Sequence, residues 1–218
     1  MSELTSKTGS LVAIEVKRIF GDEDAVQISD SDILRWINSA QRSIVSVNPI
    51  LQRTLIRDSV AGQASYTFPT DRVQYVQALY YENIPLTAYS YPEAQEYILT
   101  ANPDAATTEG RPQIWYQWAQ QITLYPVPDE SIADAIKVDF VGIPEELAAL
   151  GDTLSLPDRY FESIISFCLQ KAHQVDENYD GANYVRSQYT DSLAQLSEQE
   201  NRISLRSYPT LTVRPEDI

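Results

Sequence analysis

The spacing of apolar residues changes twice along the chain, and this change constrains the fold more than any other feature. Up to about residue 53 they recur at steps of three and four, which is typical of one face of an α-helix. From about 54 to 142 they alternate with polar residues, as in strands, and in the last third of the chain the helical spacing returns. This order predicts an α+β protein: a helical body of residues 1–53 and 151–203, with a β-rich insert domain of residues 54–150.

One helix in the first sixty residues is well marked. Ser29 is a suitable N-cap residue, and Asp32 three positions later completes a capping-box pattern. Asn48 precedes Pro49 and predicts the end of the helix, because a residue before proline disfavours the helical conformation. The apolar stripe between these signals predicts a buried helical face; it comprises Ile33, Trp36, Ile37, Ala40, Ile44 and Val47.

The insert domain is predicted to be a small antiparallel sheet with one helical insertion. Glu82-Asn83 and Ala119-Gln120 are turn candidates between strands, and Pro92 is suited to the first turn of a short helix. The strand predictions depend on β-branched and aromatic residues that alternate with polar ones, as in Ile114-Trp115-Tyr116-Gln117-Trp118 and Ile136-Lys137-Val138-Asp139-Phe140.

The last third of the chain predicts an antiparallel helical hairpin followed by an extended arm. Residues 156–175 and 182–196 each carry an apolar stripe, with a break at 176–181. From 204 to 218 two prolines exclude a continuous helix. We expect this arm to add a strand to a partner or to lie in a partner's groove; a frayed terminus is the alternative. Its candidate anchors are Leu205, Tyr208, Leu211 and Val213.

The charge balance excludes one broad class of function. The chain has 218 residues, with 31 acidic and 16 basic side chains and a net charge of −15. A protein that grips DNA or RNA without sequence preference needs a basic surface to neutralise phosphates. The excess is −1 in residues 1–60, −9 in 61–150 and −5 in 151–218. There is neither a secretion-signal pattern nor an 18-residue apolar run, so we expect a soluble intracellular product with no membrane contact.

The sequence offers little to an enzyme. Its single cysteine, Cys168, and single histidine, His173, exclude an internal disulfide and a Cys/His zinc site within one chain, and they point in different directions on one predicted helix. No nucleotide-binding or nucleophile-elbow motif is present. We therefore expect no catalytic, cofactor-binding or metal-binding residues and no cofactor.

Acidic pairs leave one enzymatic alternative open. A glycosidase would use two facing carboxylates, with aromatic side chains as sugar platforms. The candidate acids are Asp22/Asp24, Glu145/Glu146 and Asp176/Glu177/Asp180, and the candidate platforms are Tyr80, Tyr81, Trp115 and Trp118. Acids in surface turns and aromatic residues that pack across strands account for the same pattern.

The 14 tyrosines favour a different function, because tyrosine is enriched where proteins contact each other. They suit a subunit with several neighbours. The alternative is that β-rich domains simply contain many aromatic residues.

Two segments resemble the head-to-tail adaptor, or head-completion, proteins of tailed bacteriophages. The first runs from Gly21-Asp22 through Gln27 to Ile28-Ser29-Asp30-Ser31-Asp32-Ile33-Leu34-Arg35-Trp36-Ile37-Asn38-Ser39-Ala40-Gln41. The second is Leu154-Ser155-Leu156-Pro157-Asp158-Arg159-Tyr160-Phe161-Glu162-Ser163-Ile164-Ile165, with a helix and a second long helix after it. Between them, Tyr66-Thr67-Phe68-Pro69 and Gly110-Arg111-Pro112 are similar to the β-domain of larger members. The resemblance covers residues 10–200 as an order of elements.

This resemblance implies a structural virion protein at the neck, made in the host cytoplasm. It would form a homo-oligomeric ring, usually of twelve copies, that joins the capsid portal protein to a tail or nozzle protein and lets DNA pass through its channel without specific binding. An acidic channel would repel phosphates, although a solvated outer face accounts equally well for the charge of the insert domain. A tail-completion or tail-tube-associated protein is the structural alternative.

Overall fold

The computed structural model describes residues 7–69, 72–101 and 108–206, with the backbone alone at 101 and 201–206. This part of the chain forms two compact units. The first unit comprises residues up to Asn48 and from Glu145 onward, and the second is Pro49–Pro144. The mixture of helices and sheets confirms the predicted α+β class.

The first unit is helical and the second is mainly β. In chain order the elements are α1 (Gly9–Phe20), α2 (Asp30–Val47), β1 (Gln52–Arg57), β2 (Ser65–Thr67), β3 (Val73–Tyr81), β4 (Ile84–Pro85), β5 (Thr87–Tyr89), α3 (Tyr91–Ala101), β6 (Ile114–Trp118), β7 (Gln121–Tyr125), β8 (Ile136–Gly142), a 3₁₀ turn (Asp158–Tyr160), α4 (Phe161–Val175) and α5 (Tyr179–Arg206).

Helix α2 begins and ends where local chemistry predicts. The Asp32 amide donates to Ser29 Oγ at 3.2 Å, so Ser29 satisfies one of the free N–H groups of the first turn. Asn48, at the other end, has extended backbone angles and donates its amide to the Ile44 carbonyl. The N-cap and the stop before Pro49 are therefore confirmed.

Three helices of the first unit pack around α4, and the buried positions follow the predicted stripes with two corrections. Ile164, Cys168 and Ala172 of α4 are fully buried. Val47 and Val175, predicted to belong to buried stripes, are each 60% exposed. Each is the last residue of its helix, where the neighbouring elements no longer cover it. The apolar spacing therefore extends one residue further than the buried face.

The second unit contains two four-stranded sheets, which corrects the prediction of one small antiparallel sheet. The first has the order β1-β8-β3-β4 and is antiparallel throughout. The second, which we call the mixed sheet, has the order β2-β7-β6-β5, and β5 pairs with β6 in parallel. Helix α3 connects these two strands and returns the chain to the same end of the sheet, as a parallel pair requires.

The two sheets enclose one apolar core. Leu79, Val138 and Phe140 of the first sheet and Ile122, Leu124 and Trp115 of the mixed sheet belong to it, and all are at most 7% exposed. The predicted turn at Glu82-Asn83 is confirmed; both residues have positive φ, of 47° and 64°, which suits a tight hairpin.

The predicted domain boundaries differ from those of the two units by a few residues. Strand β1 already begins at Gln52, within the stretch assigned to the helical body. At the other boundary, Leu147 is tied to the first unit, because its amide donates to Asn38 Oδ1 at 2.9 Å and its carbonyl accepts from Asn38 Nδ2 at 3.0 Å. Ser10 likewise donates its amide to the Leu150 carbonyl at 2.6 Å.

Helix α5 is longer than predicted. It runs to Arg206, so the first three residues of the predicted extended arm, 204–206, are helical. The apolar stripe of this helix ends near Leu196. The residues after it are mostly polar, so the spacing of apolar residues does not indicate that the helix continues. The remainder of the arm lies outside the described residues.

Candidate interaction surfaces

The predicted anchors of the C-terminal arm fall largely outside the described residues. Leu205 belongs to the backbone of α5, so its predicted extended conformation is wrong. Tyr208, Leu211 and Val213 lie beyond Arg206, where the description ends. Their contact with a partner stays a prediction.

Cys168 and His173 occupy one helix but do not form a reactive pair. Cys168 is fully buried in α4, and desolvation by burial raises the pKa of its thiol far above the ordinary value. His173 lies in the last turn of α4 and packs edge-on against Phe20, with ring centroids 5.4 Å apart. A thiol held in its neutral form is a poor nucleophile, so this cysteine acts as a core residue.

Asp22 stabilises the loop between α1 and α2. Its Oδ1 accepts from the Val26 amide at 2.8 Å, and its Oδ2 accepts from the amides of Gln27 at 3.0 Å and Ile28 at 2.8 Å. Burial raises the pKa of this carboxyl, but the three N–H groups lower it further, so the net pKa lies below the usual value. Both oxygens are engaged, and Asp22 is unsuited to catalysis with Asp24.

The other two acidic groups, Glu145/Glu146 and Asp176/Glu177/Asp180, both belong to the first unit. Glu146 forms an ion pair with Arg42, and Asp176 lies with His173 and Asp22 at the edge of a cavity of about 350 Å³ in the first unit. Among residues 7–69, 72–101 and 108–206, no group of three or more His, Cys, Asp or Glu side chains could hold a metal ion. None of the helices in this part of the chain combines the length and apolarity needed to span a bilayer.

The aromatic residues considered as sugar platforms are separated by the fold. Tyr81 and Trp115 are buried in the core of the second unit. The ring of Tyr80 lies 5.1 Å from Lys137 Nζ, on the first sheet. Trp118 differs from these three, because it is 61% exposed. The four therefore do not form one platform.

Trp118 belongs instead to an aromatic stack on the outside of the mixed sheet. Its ring stacks on Tyr91 of α3, with centroids 4.4 Å apart and planes inclined by 28°. Tyr91 also meets Tyr116 edge-on at 5.8 Å. Three rings from two elements thus hold one another in place, and an exposed tryptophan is kept in a fixed orientation.

The strands of the mixed sheet contain no charged residue. Their sequences are Ser65-Tyr66-Thr67, Thr87-Ala88-Tyr89, Ile114-Trp115-Tyr116-Gln117-Trp118 and Gln121-Ile122-Thr123-Leu124-Tyr125. The surrounding unit, residues 49–144, has 11 acidic and 5 basic side chains, a net charge of −6. The acids of this unit therefore lie in the connections, in α3 and in the other sheet.

Successive side chains of a strand point to opposite faces, which defines an outer face of this sheet. Tyr66, Trp115, Ile122 and Leu124 point into the core. Their neighbours form two rows across paired strands, Ser65-Thr123-Tyr116 and Thr67-Gln121-Trp118. Within the first row the hydroxyls of Ser65 and Thr123 are 2.9 Å apart. We call these six residues together with Tyr91 the neutral face.

The family model of the SU10 adaptor protein matches residues 6–214. The chain belongs to this family. A search of curated proteins gives no significant match.

Membership confirms the resemblance to phage head-to-tail adaptors that the two quoted segments indicate. The protein is a structural component of bacteriophage assembly, and its family is not a class of enzymes. Membership also implies a place at the virion neck and contacts with portal and tail components. The match covers both units described above.

The neutral face was missed by reasoning from the sequence. Trp118 and Tyr91 are 27 positions apart, and nothing in the pattern of either segment indicates that their rings stack. A usable signal was nonetheless present, since the two strands of the β6–β7 hairpin lack charge although they lie in residues 61–150, the most acidic of the three segments. The net charge of a long segment does not show that a short hairpin within it is uncharged.

Proposed function

We propose that this protein forms a ring of about twelve copies that joins the capsid portal to a tail or nozzle protein and lets DNA pass through its channel. The observation that carries the proposal is the family match over residues 6–214. The described helices add support, because α1, α2, α4 and α5 belong to one compact unit and the strands to another, which suits a subunit that contacts different neighbours through different units.

The net charge suits a channel through which DNA slides. Twelve copies at −15 each would carry −180. Acidic side chains repel phosphates, so a negative wall around DNA would lower its residence on the protein.

Within this proposal the C-terminal arm contacts the portal. Leu205, Tyr208, Leu211 and Val213 are the proposed anchors. The length of α5 sharpens the design of the test, because a truncation should now begin at Ser207 and leave the helix to Arg206 intact. Synthesis in the host cytoplasm and incorporation at the virion neck belong to the same proposal.

The experiment is native mass spectrometry of the purified chain with purified portal. A multi-copy ring bound to the portal is expected. A chain that stays monomeric with portal and in virions would contradict the proposal. Crosslinking in virions separates it from the alternative of a tail-completion or tail-tube-associated protein, which would give links to tail components and none to the portal.

The arm is tested separately with two variants. Deletion of 207–218 should abolish portal docking while the circular dichroism of the helices is retained. The full-length chain with Leu211→Ser and Val213→Ser is the matched variant, since it keeps the length and removes the apolar anchors. Docking of both variants at the wild-type level would remove the arm from the proposal and leave the ring untouched.

A further inference from the structure

We propose that the neutral face of the mixed sheet is the surface on which a neighbouring copy of this chain docks. This inference rests on the proposed ring and names one of its contacts between subunits. The neutral face brings Trp118, Tyr91 and Tyr116 beside the hydroxyl and amide side chains of Ser65, Thr67, Gln121 and Thr123.

Electrostatics select a second copy as the occupant. Every copy carries −15, and juxtaposed like charges oppose association. A surface without charged residues adds no further repulsion when two copies approach each other. In the β unit, the strands of the mixed sheet provide such a surface, since none of their residues is charged.

The acid nearest in sequence to Tyr91 of the aromatic stack is bound to the start of its own helix. Glu93 stands in the first turn of α3, two residues after Tyr91. Its Oε2 accepts from the Ser90 amide at 3.0 Å and from Ser90 Oγ at 2.6 Å, and the pKa of this carboxyl is lowered by those two bonds. The carboxylate thus turns back on its own helix terminus, and its charge is partly compensated there.

The residue types of the neutral face are those of protein-binding surfaces. Tyrosine and tryptophan give a large contact area at low cost in side-chain entropy, and serine, threonine and glutamine give adaptable hydrogen bonds. Trp118 is already held against Tyr91 in the free chain, so docking would not have to order it. An exposed tryptophan held in place on such a surface has the character of a binding hot spot.

The size of the neutral face shows what kind of contact it can make. With strands about 4.8 Å apart and residues about 3.3 Å apart along each strand, the two rows of residues across three strands present only a few hundred Å². A stable pairwise interface needs about 800 Å² on each partner. The contact is therefore too small to hold two copies alone and must act with other contacts in a closed ring, where each copy offers this face to the next.

The test introduces charge into the neutral face and compares it with the same change elsewhere. Gln121→Glu places a carboxylate beside Trp118, whereas Gln74→Glu adds the same charge at another exposed glutamine, on β3. Trp118→Ala removes the exposed ring of the stack and, because that ring is 61% exposed, should leave the fold intact. Circular dichroism melting checks that all three variants fold.

Ring formation is measured by native mass spectrometry and sedimentation over a range of chain concentrations, with portal present. We expect Gln121→Glu and Trp118→Ala to raise the concentration needed for rings roughly 30-fold, the effect of one hot-spot residue. Gln74→Glu should assemble as the wild type does. Added salt should partly rescue Gln121→Glu, because it screens the introduced charge, and should not rescue Trp118→Ala.

The outcomes separate this inference from the proposed function. If the wild type forms rings and both neutral-face variants form them equally well, the inference is wrong and the ring stands. The inference is also wrong if the variants form rings but lose a tail component, because the face then belongs to that partner. A wild type that forms no ring overturns the proposed function, and the docking of a second copy with it.

Discussion

Gly9 provides a direct test of how the start of α1 is held in the helical unit. Its amide donates to the Asp152 carbonyl at 3.1 Å, and the next amide, of Ser10, donates to the Leu150 carbonyl at 2.6 Å. A Cβ at Gly9 would lie 3.0 Å from the Leu150 oxygen and 3.3 Å from its Cα. These are backbone atoms, so they cannot rotate away as the side chain of Leu147, 2.9 Å from the same position, can.

The magnitude for Gly9→Ala follows from two opposing contributions. Overpacking against backbone costs about 1–3 kcal/mol of unfolding free energy. Alanine gains up to about 1 kcal/mol over glycine inside a helix, and less at the first helical residue. The net loss is about 1–2 kcal/mol. With a urea dependence of about 2 kcal/mol per molar, the midpoint of unfolding should fall by about 0.5–1 M.

The assay is urea unfolding followed by circular dichroism at 222 nm, which reports mainly on the helical unit because it contains four of the five α-helices in the described part of the chain. Gly151→Ala is the matched control. A Cβ there meets nothing within 4 Å, so this variant should equal the wild type or exceed it by up to about 1 kcal/mol. A Gly9→Ala midpoint at or above that of Gly151→Ala would refute the steric reasoning.

Three further predictions follow from the described contacts. Ser29→Ala removes the side-chain cap of α2 and should cost about 1 kcal/mol in urea unfolding, whereas Ser46→Ala near the far end of the same helix should cost less. Asp22→Asn should lower Tm at pH 7. The native pKa of Asp22 lies below the ordinary 3.8, so the ionised carboxylate stabilises the fold above pH 3.8 and loses this effect as the pH falls through the native pKa. The Tm values of the wild type and the variant, measured against pH, should therefore converge in acid. A Tm difference that persists unchanged at pH 2 would contradict this. Cys168 should react with iodoacetamide only when the chain is unfolded, since burial raises the pKa of its thiol, and mass spectrometry of rapid labelling at pH 8 without urea should show no adduct.

Features determined by neighbouring residues could be predicted from the sequence. The Ser29 cap, the stop at Asn48 and the turn at Glu82-Asn83 each depend on fewer than five consecutive residues, and the backbone chemistry of those residues decides the outcome. The family resemblance also came from short segments. It identified the class of protein because those segments lie at the starts of α2 and α4, where capping and packing constrain many residue types at once.

Features that depend on pairing between distant segments could not be predicted. Alternation marks a strand but does not say which strand lies beside it, so the parallel pairing of β5 with β6 across α3 was missed. Alternation also does not say which of two faces is covered. Trp115 and Trp118 are both aromatic residues of one strand, yet an odd separation places the first in the core and the second outside.

The separation of charge from the mixed sheet bears on how an acidic chain can assemble at all. If the acids were spread evenly over the β unit, any contact between two copies would bring like charges together, and the resulting cost would grow with every copy added to a ring. Confining the charge to connections, to α3 and to the other sheet leaves one uncharged surface while the unit stays acidic overall. A chain could then repel DNA and still bind its neighbour, because the two requirements fall on different surfaces. The contrast between Gln121→Glu and Gln74→Glu addresses this point directly: both variants carry −16, and only the position of the added charge differs.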